Sequence, residues 1–304
     1  MDLFPNEEAA TAWFEQIVWS AHRACGHCGS LATKEVPNAK PMPYWCKDCR
    51  SYFSVRTGTT IVRSNVPLRK WAIAIYLVTT SLKSVSSMKL HRDIGVSQKT
   101  AWFILHRLRE AWAKESSSGP FDGPVEMDET YVGGKERNKH ASEKLHAGRG
   151  AVGKTAVVGA KDRASNRVNA KVVRSTDKAI LHEFVADNAA PDATVFTDDA
   201  RAYQGLPYKH ESVKHSVSEY VKGMAHTNGV ESFWATLKRA HKGTFHKLSP
   251  KHLNRYVQEF AGKHNFRNSD TIQQMRSLVA GLVGRNLLYR DLVADNGLDS
   301  AARA

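Results

Sequence analysis

The chain has 304 residues, 41% of them hydrophobic and 24% charged, with a formal net charge of +14. That length accommodates two or three compact units with their own cores, and no stretch approaches the roughly 18 apolar residues a membrane span needs. A cation excess of this size favours a polyanionic partner, nucleic acid before an anionic membrane surface.

The N-terminal segment MDLFPNEEAATAWFEQ is acidic and amphipathic, without the basic and apolar regions of a signal peptide, so a cytoplasmic, nucleoid-associated protein with no membrane role is expected. A short helix is predicted over 5–22, with Ala12, Trp13 and Ile17 on its apolar side. Two CxxC pairs follow, Cys25 with Cys28 and Cys46 with Cys49, at about the separation of a zinc ribbon. Each pair presents two thiolates to one tetrahedral Zn²⁺, and four protein ligands leave no open position, so this zinc is structural. His27, inside the first pair, reads as a bystander. Residues 51–65 read as strand and turn leading out of the ribbon.

From Pro67 the period becomes helical: PLRKWAIAIYLVTTS, then the short SSMKLHRD ending at Ile94 and Gly95, then QKTAWFILHRLREAW with Ser97 as its N-cap. A short helix, a glycine turn and a capped basic helix form a helix-turn-helix arrangement. Gln98, Lys99 and Thr100 would meet base edges, with His106, Arg107 and Arg109 available to phosphates. The polar, breaker-rich segment beginning at Lys114 marks a boundary.

Beyond it strands and helices alternate. Strands are predicted at 124–132, 154–161 and 166–174, a helix over 177–189, a strand over 193–198, and another near ESVKHSV; an amphipathic helix over 226–242 follows. This order implies a mixed sheet covered by helices. The segment 133–154 is rich in Gly, Lys, Arg and His and has no hydrophobic period; it reads either as a DNA-backbone contact or as a solvated insertion. Two further helices begin at Ser249 and Ser269, and the tail from about Ala294 is small-residue and frayed.

Three carboxylates stand out. Asp128 lies in the alternating segment PVEMDETYV, Asp198 closes ATVFTD, and Glu231 sits on the 226–242 helix with Asn228 one turn before it and Lys238 two turns on. Brought together, such groups hold two divalent ions for phosphodiester chemistry, and Mg²⁺ takes oxygen ligands. Glu126 shares a strand face with Asp128 and competes with it. Asp199 fits better as a cap of the next turn, and His226, His241 and His246 fit backbone or phosphate neighbours.

These residues, together with FPNEEAA, CGHCGS, YWCKDCRSYFSVRTGT, GVSQKTAWFILHRLR, DETYVGGK, TDDARAY and HTNGVESFWATLKR, resemble bacterial insertion-sequence transposases of the DDE type that carry an N-terminal zinc ribbon, relatives of the Merlin elements. The resemblance runs over about residues 3–290. It implies a multidomain α+β chain: a ribbon region over 1–65, a helix-turn-helix region over 66–116, a ribonuclease H-like catalytic domain over 117–293 and a tail over 294–304. It also implies Mg²⁺- or Mn²⁺-dependent cleavage of double-stranded DNA at terminal inverted repeats and transfer of 3′-hydroxyl ends to target DNA by an oligomer. Asp128, Asp198 and Glu231 match its metal ligands, with Asn228 an alternative third ligand, and Lys238 matches its lysine. The competing reading is a sequence-specific DNA-binding protein without catalysis.

Overall fold

The computed structural model describes residues 3–112, 120–134, 138, 140–145, 150–213 and 226–298. The chain forms two compact units, one built from 1–114 and 267–294, the other from 115–266 and 295–304. The stretch 267–293, which the resemblance would place in the catalytic domain, groups with the N-terminal residues. The segment after Trp112 that carries the expected linker, the end of the strand expected near ESVKHSV, residues 135–137, 139 and 146–149 of the 133–154 segment and the last residues of the tail lie outside the described residues. Among the described residues, no helix is long and apolar enough to cross a membrane.

The first unit opens with helix α1 (Glu7–Val18), capped by Asn6, whose side chain accepts from the Ala9 N–H at 2.8 Å. Ala10, Trp13 and Phe14 are its buried residues. A three-stranded antiparallel sheet follows, β1 (Thr33–Glu35), β2 (Tyr44–Cys46) and β3 (Ser51–Phe53), with Cys46 paired to both Thr33 and Ser51. Trp19 packs edge-on against Tyr44 with ring centroids 5.2 Å apart, and Phe53 is fully buried beside them.

Helices α2 (Leu68–Thr80), α3 (Ser87–Ile94) and α4 (Gln98–Trp112) come next. Ser86 and Ser97 cap α3 and α4, and Gly95 ends α3 at φ 62°, ψ 55°, a conformation that favours glycine. Helix α8 (Thr271–Gly281) and the short α9 (Tyr289–Val293) complete the unit. Gly281 is essential to the packing of α8: a Cβ there would lie 2.6 Å from the carbonyl oxygen of Ala111 in α4.

In the second unit five strands run in the order β6-β5-β4-β7-β8, with β4 (Val125–Val132), β5 (Thr155–Asp162), β6 (Val168–Val173), β7 (Thr194–Asp198) and β8 (Lys209–Val213). The first three strands pair antiparallel; β7 runs parallel to β4, and β8 parallel to β7, so the sheet is mixed. Strand alternation places Val125 and Met127 in one core with Leu181, Phe184 and Val185 of α5 (Lys178–Asn188). Val132 and Val157 join a second core on the opposite face with Val230, Phe233, Trp234 and Leu237 of α6 (Asn228–Ala240) and Leu253 and Val257 of α7 (Pro250–Phe266). Both sheet faces are therefore covered.

Candidate active site and metal centre

Strands β4 and β7 pair in parallel register, Val125 with Val195 and Glu126 with Phe196. Continuing that register by two residues brings Asp128 level with Asp198, the last residue of β7. Helix α6 then crosses the face that Glu126 and Asp128 share, and two glycines permit the approach. Gly159, paired with Asp128 on β5, is overlain by the Trp234 ring; a Cβ at 159 would lie 2.6 Å from Trp234 Cζ2. The seated indole donates from Nε1 to Asp128 Oδ2 at 2.9 Å. Gly229, in the first turn of α6, lies over Glu126, and a Cβ there would fall 2.7 Å from Glu126 Oε2.

Glu126 is thereby committed elsewhere. Its Oε2 accepts from the Val230 N–H at 2.9 Å, while Oε1 accepts from Arg163 Nε at 2.8 Å. A buried carboxylate here satisfies one of the free amides at the helix N-terminus and complements the helix dipole. Arg163 also donates to the His226 carbonyl at 2.6 Å and stacks over Phe196 at 4.1 Å. The face shared with Asp128 made Glu126 a rival ligand in the sequence; in the structure it holds down the start of α6.

Glu231, one turn into α6, is exposed, and its Oε1 accepts from Thr227 Oγ1 at 3.0 Å. Asp198 Oδ1 accepts from the Ala200 N–H at 3.1 Å, which holds the turn after β7; Asp199 is exposed. The charges of these groups reach one another. The Asp128 carboxyl is pushed up to about 7, first by burial, then by the charge of Glu129, with Asp198 and Glu231 adding to it. Burial and the Asp198 charge also raise Glu129, which accepts from the Tyr203 hydroxyl at 2.9 Å. Glu129 is a fourth carboxylate of the cluster; strand alternation alone assigns it to the other face. Asn228 and Lys238 are exposed on α6, one turn before and two turns after Glu231.

Among the described residues neither Asp128 nor Asp198 has an ion-pair partner, and the charges of Glu129, Asp198 and Glu231 all act on Asp128. A divalent cation would offset the repulsion among these carboxylates, and oxygen donors of this kind suit Mg²⁺ or Mn²⁺. The carboxylates do not form a tight single-ion cage. Among the described residues, only the four cysteines have ligand atoms all within 4.8 Å of one another. Two ions about 3.5–4 Å apart span a wider set of ligands than one ion does.

The cysteine cluster fits zinc closely. Cys25 and Cys49 sulfurs are 3.7 Å apart, as are those of Cys28 and Cys46. A tetrahedron with bonds of about 2.3 Å requires sulfur separations of roughly 3.8 Å. Gly29 (φ 77°) and Arg50 (φ 51°) turn the chain just after each pair. Backbone N–H groups, that of Cys49 foremost, draw the Cys46 thiol down to about 7, while burial pushes the Cys25 and Cys49 thiols up. His27 Nε2 lies 3.2 Å from the Tyr52 carbonyl oxygen and stands outside the sulfur cluster.

Of the residues expected to face DNA, Gln98 and Lys99 are exposed at the start of α4 and Thr100 is half-buried. His106, Arg107 and Arg109 are buried and do not reach a surface where phosphates could bind. Arg107 donates to the carbonyls of Val62 at 3.1 Å and Leu287 at 3.3 Å, and stacks on Phe103 at 4.1 Å. Arg107 thus ties α4 to chain segments distant in sequence.

Residues 120–265 match the ISXO2-like transposase domain. An uncharacterized protein in transposable element ISH50 of Halobacterium salinarum is 30% identical over 270 residues, covering 84% of this chain and 90% of the relative. An uncharacterized transposase-like protein of Haemophilus influenzae is 28% identical over 121 residues, 38% of this chain and 95% of the relative. The matched segment holds both β-strand carboxylates and α6, and the Halobacterium match extends across most of the chain, so the protein belongs to the ISXO2-like transposase family.

Proposed function

We propose that the protein is a DDE transposase. It binds the terminal inverted repeats of its element, cleaves DNA with two divalent ions and transfers 3′-hydroxyl ends to target DNA. The observation that carries this reading is the register that brings Asp128 of β4 level with Asp198 of β7, with Glu231 of α6 near enough for its charge to act on Asp128. The mixed sheet, three antiparallel strands followed by two parallel ones and covered by helices, supports a ribonuclease H-like domain.

Asp128, Asp198 and Glu231 would hold the ions, with Asn228 in reach as an alternative third ligand. When bound, the ions supply Lewis acidity to the scissile phosphate and to the attacking and leaving oxygens. Trp234 fixes the Asp128 carboxylate from one side, and Thr227 orients Glu231. Glu126 and Arg163 anchor the first turn of α6 and so hold Glu231 over the sheet. Lys238 lies on the same face of α6 as Glu231, about 10 Å along the axis, where it can steady a DNA phosphate. Gln98, Lys99 and Thr100 open α4 as base-reading residues, and the protein works on two element ends as an oligomer.

The test is cleavage of a labelled duplex carrying the flanking repeat, with Mg²⁺, by wild type and Asp198→Asn. Cleavage at the repeat end by wild type alone supports the reading. Binding without cleavage by either protein refutes it.

A further inference from the structure

The first unit contains a groove of about 980 Å³ between the ribbon, the 54–65 segment and the 285–290 segment. Arg50, Arg56, Arg63, Arg285 and Arg290 line it, and among the described residues no Asp or Glu does. Arg56 serves the fold, donating to the carbonyls of Ser64 and Val66 at 3.0 and 2.7 Å. Among the described residues, Arg290 pairs only with the exposed, adjacent Asp291 at 3.4 Å. Arg50, Arg63 and Arg285 have no side-chain partner among the described residues.

The walls are held by main chain. Thr60 N–H donates to the Leu282 carbonyl at 3.1 Å and Gly284 N–H to that of Gly58 at 2.8 Å. Gly26 and Gly58 meet backbone to backbone: a Cβ on Gly26 would lie 2.3 Å from the Thr57 carbonyl oxygen, and one on Gly58 2.6 Å from that of Gly26. The arginines therefore stand on a fixed frame. Between Leu288 and Arg290, both in the lining, Tyr289 carries Lys99 of α4 over its ring at 4.6 Å. The groove thus ends beside the exposed first turn of α4.

We propose that this groove seats the phosphate backbone of a DNA duplex, with Arg50, Arg63, Arg285 and Arg290 as its phosphate contacts and the first turn of α4 at its end. Guanidinium groups suit this task because their planar donors match phosphate oxygens. The proposal rests on the DNA-transposase reading for its choice of polyanion. It moves backbone binding from the buried arginines of α4 to the ribbon and the returning 285–290 segment.

The test measures binding of the full chain to a labelled duplex by fluorescence anisotropy, without added Mg²⁺, across a range of salt concentrations. Each phosphate contact contributes about 0.9 to the slope of log K against log salt, and about 5-fold in affinity at 0.15 M. The pair Arg63→Gln with Arg285→Gln is expected to reduce the slope by about 1.8 and the affinity about 30-fold. Arg63→Lys with Arg285→Lys keeps the slope. Far-UV circular dichroism and zinc content report the fold; should the double variant misfold, Arg63→Gln alone is expected to reduce the slope by about 0.9.

Unchanged slope and affinity in the folded glutamine variant overturn the proposal, as does a loss confined to single-stranded DNA. A protein that binds the duplex through these arginines but never cleaves it overturns the catalytic reading and supports the groove. A glutamine pair that binds and cleaves normally overturns the groove alone.

Discussion

Replacing Asp128 with Asn should make the metal-free protein more stable, although it removes a residue central to the site. Burial and the charges of Glu129, Asp198 and Glu231 raise the Asp128 carboxyl from its ordinary 3.8 to about 7. At 1.36 kcal/mol per tenfold this corresponds to roughly 4 kcal/mol, which solvent at a half-buried site reduces to about 1–2 kcal/mol. The sign follows from proton binding. Between pH 4 and 7 the folded state holds a proton that the unfolded chain has released, so this contribution to stability falls as pH rises and levels off above 7. Asn carries no charge and still accepts from Trp234. Urea unfolding of wild type and Asp128→Asn, each with its zinc retained and without Mg²⁺, should show the variant ahead at pH 8 and the gap closing toward pH 5. Adding Mg²⁺ should stabilise wild type and leave the variant unchanged. A gap of the same size at both pH values, or a variant less stable at pH 8, would refute the clustering of charge.

Glu126→Gln should act in the opposite direction. It leaves the half-buried Arg163 beside a buried neutral amide in place of its carboxylate and should cost about 3 kcal/mol in denaturant unfolding, whatever the Mg²⁺ concentration. Gly159→Ala drives a methyl into Trp234 and should cost about 1–3 kcal/mol; it should also reduce cleavage by displacing the indole from Asp128, and a variant with wild-type stability and cleavage would contradict the packing. Metal analysis should find one zinc per chain in wild type and close to none in Cys46→Ser. Chelation should unfold the ribbon, read as a loss of near-ultraviolet signal from Trp19, Trp45 and Tyr44.

Local pattern carried much of this architecture. The CxxC spacing announced the cysteine cluster because both turns are short-range, and alternation in PVEMDETYV set which residues of β4 share a face. Alternation does not say what lies above a face. Only the path of α6, admitted by Gly159 and Gly229, separates Glu126 under the helix N-terminus from Asp128 beside Trp234. The basic residues of α4 show the same limit. Its helical period marks Ala101, Ile104, Leu105 and Leu108 as inward, and leaves His106, Arg107 and Arg109 apparently free. They are buried because the chain returns after residue 266, and Arg107 reaches Leu287, 180 positions on. The arginine groove was illegible for the same reason, since its walls come from segments more than 200 positions apart in sequence.

The most direct measurement is Mg²⁺-dependent cleavage of the repeat-end duplex by a panel: wild type, Asp128→Asn, Asp198→Asn, Glu231→Gln and Asn228→Ala. Loss of a metal ligand removes several kcal/mol of transition-state stabilisation, so each of the three acidic variants should fall on the order of 10³-fold or more while still binding the duplex. Asn228→Ala should keep most of its activity. Cleavage near the wild-type rate by any of the three acidic variants would contradict the account.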